Sequence, residues 1–163
     1  FLDQKFKEHG GGFTMIADSE QSAQYTRIDP ISISMPNDGY LILEVAEKGL
    51  TETAGLPVEE INGKLMALDF SDAEKRRFEI PLEKISFGWL SNRRGGWRAL
   101  KTLKKSTGKI RILCQDKVNC ISGNRQTNGE YVDLYMADEL QREKTFKALK
   151  HLIGLYQHRK ELF

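Results

Sequence analysis

Between Arg93 and Arg125 the chain places ten lysines and arginines and a single acid, Asp116. Cations at that density attract anionic partners, at about 1 kcal/mol per well-placed charge on an anionic lipid surface or by counterion release along a nucleic-acid backbone. The dense part is Arg93, Arg94, Arg98, Lys101, Lys104 and Lys105, and Trp97 beside Arg98 adds an aromatic ring suited to interfacial insertion or stacking. These seven residues are the candidate binding site for an anionic partner. The simpler alternative puts Trp97 in the core and leaves the cations as a solvated face, offset by the first half of the chain. Residues 1–92 carry 9 basic and 16 acidic side chains and residues 93–163 carry 16 and 7, local balances of −7 and +9 within a whole of +2. So small a net charge favours the solvated-face alternative; where the region binds, a protein or an anionic surface is the expected partner and nucleic acid is not.

The remaining chemistry-bearing residues are sparser. His9-Gly10-Gly11-Gly12-Phe13 copies the oxyanion-hole string of some lipases and esterases, but no G-x-S-x-G nucleophile elbow accompanies it. A flexible glycine hinge accounts for the same residues, and a hydrolase of unrecognised type is kept only as a further alternative. His151 and His158 lie seven apart, about 10.5 Å along a helix, too far to chelate one metal. No catalytic residues, metal ligands or cofactor are assigned.

Cys114 and Cys120 are the only thiols, and their spacing is neither a zinc knuckle nor a redox C-x-x-C. If Asp116–Val118 form a three-residue hairpin loop, the two cysteines face each other and can bridge; a shifted register sets Cys120 opposite Leu113 instead. A small buried hydrophobe is the other role open to each cysteine. The start at Phe1 rather than Met, taken with the cysteine pair, suggests an exported or periplasmic chain with its leader removed.

These residues need a scaffold, and 163 residues with 39% hydrophobic and 29% charged content suit one domain. No apolar run is long enough to cross a bilayer. Residues 1–24 read as an N-terminal arm or short helix that stops at three glycines, and 25–163 as a single α+β domain. Alternation predicts strands at 25–28 and 31–35 separated by an Asp29-Pro30 turn, then at 40–45, 77–82 and 84–90. A possible strand covers 64–70, while 46–60 is ambiguous between helix and loop. The wheel of Trp97–Lys105 gives a short basic amphipathic helix, with a strand as the competing assignment.

A strand hairpin through the cysteines and a strand at 130–136 follow, with Val132, Leu134 and Met136 on one face. Asp138 is the expected N-cap of a final helix running to about Lys160, with Gln141 in the capping-box position. Phe146, Ala148, Leu149, Leu152, Ile153, Leu155 and Tyr156 occupy one half of its wheel. At 1.5 Å per residue this helix is roughly 34 Å long, enough to cover one face of a small sheet.

Two resemblances attach to these residues. Lys109 to Tyr156, with the helix Phe146-Lys147-Ala148-Leu149-Lys150-His151-Leu152-Ile153, resembles the last strands and closing helix of the pleckstrin-homology-like superfold. It implies a curved antiparallel sheet or partly open barrel closed by a long C-terminal amphipathic helix. The tryptophan common in that helix is missing, and the phosphoinositide-binding cations expected around the first hairpin give way to acid-rich strands. Gly39-Tyr40-Leu41-Ile42, Ala54-Gly55-Leu56 and Ile61-Asn62-Gly63-Lys64 resemble fragments of a PDZ domain over residues 39–65, without that family's Gly-Asp. This second resemblance implies a binder of peptide carboxylates. The leading expectation is a non-enzymatic binding or interaction module acting through the basic 93–125 region.

Overall fold

A computed structural model of the chain describes residues 1–19, 22–36, 39–49, 73–88, 108–123 and 129–161. Helix α1 (Leu2–His9) precedes strands β1 (Gly12–Ser19), β2 (Ser22–Ser34), β3 (Tyr40–Gly49), β4 (Glu74–Pro81), β5 (Ile85–Gly88), β6 (Lys109–Cys114), β7 (Ser122–Gly123) and β8 (Tyr131–Tyr135). Helix α2 (Glu139–Glu161) closes the chain. The strands form two antiparallel sheets, one in the order β1-β2-β3-β4-β7 and one in the order β5-β6-β8. The architecture is α+β, a partly open sheet system with a C-terminal helix.

Alternation explains which faces are buried. In β3, Leu41, Leu43 and Val45 point inward, and in β6 Ile110, Ile112 and Cys114 do so. Val132, Leu134 and Met136 at β8 meet them from the next strand, all buried as their spacing predicts. Both sheets contribute to one continuous apolar cluster, which also takes in Phe6 of α1 and Leu149 and Ile153 of α2. Leu82, in the short 3-10 turn Leu82–Lys84 between β4 and β5, is buried in the same cluster.

Three expectations need correction. Asp29-Pro30 is no turn: β2 runs unbroken through it and bulges between Pro30 and Ser32, where the missing proline N–H is accommodated. The arm or short helix expected through residue 24 ends as a helix at His9, and Gly12–Ser19 is a full strand paired to β2. This N-terminal segment is tightly attached. Phe6 is only 1% exposed, and the Ile33 N–H donates to Asp3 Oδ1 at 2.9 Å. Gly11 makes the corner between α1 and β1 at φ +99°, a left-handed conformation that glycine adopts without steric cost.

The third correction concerns the cysteines. Both edges of β6 are already occupied, by β5 and β8, so Ile121–Gly123 cannot pair back onto it as a hairpin. A 3-10 turn at Gln115–Lys117, with Asp116 at φ 59°, carries the chain away instead, and β7 pairs with Phe78 and Glu79 of β4. Cys114 and Cys120 are nevertheless joined in a disulfide. The bond ties the end of β6 in the small sheet to the residues that enter β7 in the large one.

Helix α2 begins at the predicted cap, with the Gln141 N–H donating to Asp138 Oδ1 at 2.9 Å, but the expected capping box is not completed, since Gln141 Oε1 is buried with no hydrogen-bond partner among the described residues. Thr145, Leu149 and Ile153 are buried, while Phe146, Leu152 and Tyr156 pack at the margin. The helix lies against α1, the Leu82–Lys84 turn and β6. Phe146 meets Phe87 of β5 edge to face at 4.8 Å, and Gln157 Nε2 donates to the Ile85 carbonyl at 3.0 Å. The docked stripe is narrower than the wheel suggests, because Leu155 is 53% exposed. The strand expected at 64–70, the ambiguous 50–60 and the helix expected at 97–105 lie outside the described residues.

Candidate functional site

The same alternation that buries Ile110 and Ile112 turns Lys109 and Arg111, two cations of the basic region, to the outer face of the small sheet. Register sets Lys109 opposite Tyr135, Arg111 opposite Asp133 and Leu113 opposite Tyr131. Asp133 therefore sits between the two cations. Arg111 grips it with two bonds, Nε to Oδ1 at 2.8 Å and Nη2 to Oδ2 at 2.9 Å, and Lys109 Nζ reaches Oδ2 at 3.1 Å. The Arg111 guanidinium lies 3.8 Å from the centre of the Tyr131 ring, and Lys109 Nζ lies 5.6 Å from that of Tyr135.

Electrostatics follow from this geometry. The hydrogen bond to Asp133 raises the already high proton affinity of the Arg111 guanidinium. Burial pushes the Tyr135 phenol up from its ordinary range, the Asp133 carboxylate adds to that, and Arg111 opposes it. Asp133 is 8% exposed on its side chain, so its charge is well shielded from water and well used by its two partners. Lys109, Arg111 and Asp133 thus carry one net positive charge between them rather than two.

Arg93, Arg94, Trp97, Arg98, Lys101, Lys104 and Lys105 lie outside the described residues, but both anchors of the connection that carries them are placed. At one end Gly88 pairs with Arg111 across neighbouring antiparallel strands. At the other, the Met136 N–H donates to the Gly108 carbonyl at 2.8 Å. The Arg142 side chain of α2 lies directly over Gly108, filling the space a Cβ would need, and Arg142 Nη1 donates to the Met136 and Ala137 carbonyls at 3.0 and 3.3 Å. The base of the connection is therefore fixed to β8 and α2.

Among the described residues, the acids Asp29, Glu44 and Glu47 of the first half are paired within their own sheet. Asp29 meets Arg27 at 2.8 Å and Lys48 at 3.2 Å, Glu44 meets Lys75 at 3.1 Å and Arg77 at 3.9 Å, and Glu47 meets Arg76 at 3.4 Å. Apart from Arg27–Asp29, which lies within β2, these are cross-strand pairs, the sheet's usual side-chain contacts. The described acids of β2 and β3 thus neutralise cations beside them in the large sheet.

The other motifs find structural roles. The Gly10 N–H donates to the Phe6 carbonyl at 2.7 Å and the Gly11 N–H to the Tyr135 carbonyl at 2.8 Å, so neither is available to an oxyanion. His9 Nε2 stands 3.6 Å from Glu8. At the fragment likened to a PDZ loop, Ile42 pairs with Ser34 on one side and Glu79 on the other, and Leu41 pairs with Ile80. A peptide would find no unpaired strand edge at Ile42. Residues 54–56 and 61–64 lie outside the described residues.

His151 and His158 both face outward from α2, and among the described residues no three metal-capable side chains gather. No described helix is long and apolar enough to cross a membrane. No family model matches this chain, and neither does any curated protein or solved structure.

Asp133, Tyr131 and Tyr135 are what sequence reasoning missed at this surface. The signal was the alternation of 130–136, which gave the buried face and, by subtraction, the exposed one; the partner strand was the missing piece.

Proposed function

We propose that the chain is a non-enzymatic interaction module that recognises a protein or an anionic surface through its basic 93–125 region. The observation that carries this is the connection between β5 and β6. These strands are antiparallel neighbours, with Gly88 opposite Arg111, and about two to five residues suffice to join such a pair. The chain spends residues 89–108 there instead, with six lysines and arginines and no acid. A connection longer than the fold requires is where binding residues concentrate. Asp133 partly neutralises Lys109 and Arg111 at its base, which leaves Arg93, Arg94, Arg98, Lys101, Lys104 and Lys105 as the cations for a partner, with Trp97 among them.

Two antiparallel sheets, of five and three strands, with a closing helix support a pleckstrin-homology-like architecture. The disulfide supports an exported or periplasmic setting, since such bonds persist in oxidising compartments. Co-sedimentation with phosphatidylserine vesicles and retention on heparin at low salt test the assignment. Replacing Arg98, Lys101, Lys104 and Lys105 by Ala should weaken binding by roughly 10²- to 10³-fold at about 1 kcal/mol per cation. Binding that the fourfold variant leaves unchanged would remove the proposal.

A further inference from the structure

The basic connection rejoins the small sheet through Gly108, and the contacts at that point converge on Met136, the fully buried residue after β8. The Met136 N–H donates to the Gly108 carbonyl at 2.8 Å, its own carbonyl accepts Arg142 Nη1 at 3.0 Å, and its sulfur accepts the buried Thr145 hydroxyl at 3.5 Å. Met136 also bridges to Gly11, at the corner between α1 and β1. Arg142 closes the arrangement. It lies one turn after the Asp138 cap, with its N–H on the Asp138 carbonyl at 2.8 Å, and its side chain runs back past the helix start. There Nη1 reaches the Met136 and Ala137 carbonyls, and the guanidinium occupies the space that a Cβ on Gly108 would fill. The same Cβ would come within 2.8 Å of the Met136 carbonyl oxygen, so close approach, not a turn, requires glycine at 108. Capping does not account for Arg142. A helix start favours acids, which Asp138 and Glu139 supply, and a cation there gains nothing from the helix dipole.

We infer that Arg142 is a positioning residue for the basic connection: by holding Gly108 against Met136 it fixes the point from which Lys104 and Lys105 reach an anionic surface. The inference rests on the binding role proposed above for residues 93–125. Lys105 and Lys104 stand three and four residues before Gly108, so at most about 14 Å of extended backbone separates either from the fixed point. An anchor that near restricts the volume their ammonium groups can explore, whatever path the intervening residues take. Without it, more of the chain is ordered only on binding, and each residue so ordered weakens affinity about fivefold to twentyfold. The competing role for Arg142 is direct contact of its guanidinium with lipid phosphate. Gly108 separates the two roles, because an alanine there moves the guanidinium off its seat and leaves every charge in the chain intact.

The assay is co-sedimentation of the full chain with phosphatidylserine vesicles over a range of sodium chloride concentrations. Gly108→Ala should weaken binding about fivefold to twentyfold, by the same factor at low and high salt, because lost anchoring is not screened. Replacing Arg98, Lys101, Lys104 and Lys105 by Ala removes charges and should weaken binding most at low salt. Arg142→Met removes both donors with a residue that suits a helix, and should weaken binding at least as much as Gly108→Ala. Arg142→Lys keeps the charge without the planar fork and should not restore full affinity. Combining Gly108→Ala with Arg142→Met should weaken binding no further than Arg142→Met alone, since both act on one contact. Cooperative melting well above the assay temperature shows that each variant is folded. If Gly108→Ala does not fold, the two Arg142 variants decide the matter. Affinity of folded Gly108→Ala within about twofold of the unaltered chain would overturn the inference. So would a loss in Arg142→Met that Arg142→Lys fully restores and high salt abolishes, the signature of a direct charge contact. Unchanged binding by the fourfold variant removes the binding role itself; weakened binding there, with the Gly108 and Arg142 variants unaffected, removes this inference alone.

Discussion

Truncating Leu149 to Ala tests whether the closing helix holds the two sheets together. Leu149 is 0% exposed and belongs to the same apolar cluster as Leu82, Ile85 and Ile112, so nothing around it is water. Losing three carbons forfeits about 2.4 kcal/mol of transfer free energy at about 0.8 kcal/mol each. The cavity left between α2, the Leu82–Lys84 turn and β6 adds to this and brings the cost to about 3–4 kcal/mol. In a domain of this size each kcal/mol lowers the melting temperature by about 2–4 °C, so a fall of about 6–15 °C is expected. Leu155→Ala is the internal control. It lies six residues further along the same helix, is half exposed, and should change stability by no more than about 0.5 kcal/mol. Urea denaturation of both variants, with unchanged slope, measures the difference. A Leu149→Ala loss below about 1 kcal/mol, or equal losses at the two positions, would refute the placement of the helix.

Three further outcomes are expected. Asp133→Asn leaves Arg111 and Lys109 without their shared carboxylate; because those side chains keep 17% and 27% of their exposure, the loss is put at about 2–3 kcal/mol rather than the full cost of breaking a buried pair. Urea denaturation that shows less than about 0.5 kcal/mol would contradict the neutralising role. The raised pKa of Tyr135, due first to burial and then to Asp133, means that above pH about 10 the unfolded chain releases this proton while the folded chain keeps it. Stability present below that pH should therefore fall by up to about 1.4 kcal/mol per pH unit as the pH rises further, and Tyr135→Phe should remove that part of the fall. A Tyr135 phenolate appearing near pH 10 in the 295 nm absorbance of a still-folded chain would contradict it. Reducing the Cys114–Cys120 bond should cost about 2 kcal/mol from loop-closure entropy, and a melting temperature unaffected by reductant would show that the bond stabilises nothing.

Local signals in the sequence were a good guide where the structure is set locally. The Asp138 cap, the length of α2 and the burial of Leu149 and Ile153 all follow from capping chemistry and helical spacing. Leu155 escaped because a wheel shows which half of a helix is apolar but not how wide a stripe its neighbours cover. Asp29-Pro30 looks like a turn in sequence, yet β3 pairs with both residues, Asp29 with Ala46 and Pro30 with Val45, and a bulge absorbs the proline. Non-local register was the larger blind spot. Cys114 and Cys120 invite a hairpin only until β5 and β8 are seen to occupy both edges of β6. The cations at Lys109 and Arg111 count as part of an unopposed field only until pairing brings Asp133, 22 residues beyond Arg111, between them. Summed charge along a sequence carries no information about that pairing.

The most direct test of the proposed binding role locates the contact rather than its strength. Hydrogen–deuterium exchange of the full chain, with and without saturating phosphatidylserine vesicles, reports where backbone amides become protected. Slowed exchange in peptides spanning residues 89–107, with the β2–β3 peptides unchanged, is the expected result. Vesicle binding that leaves 89–107 unaltered and protects another part of the chain would contradict the account.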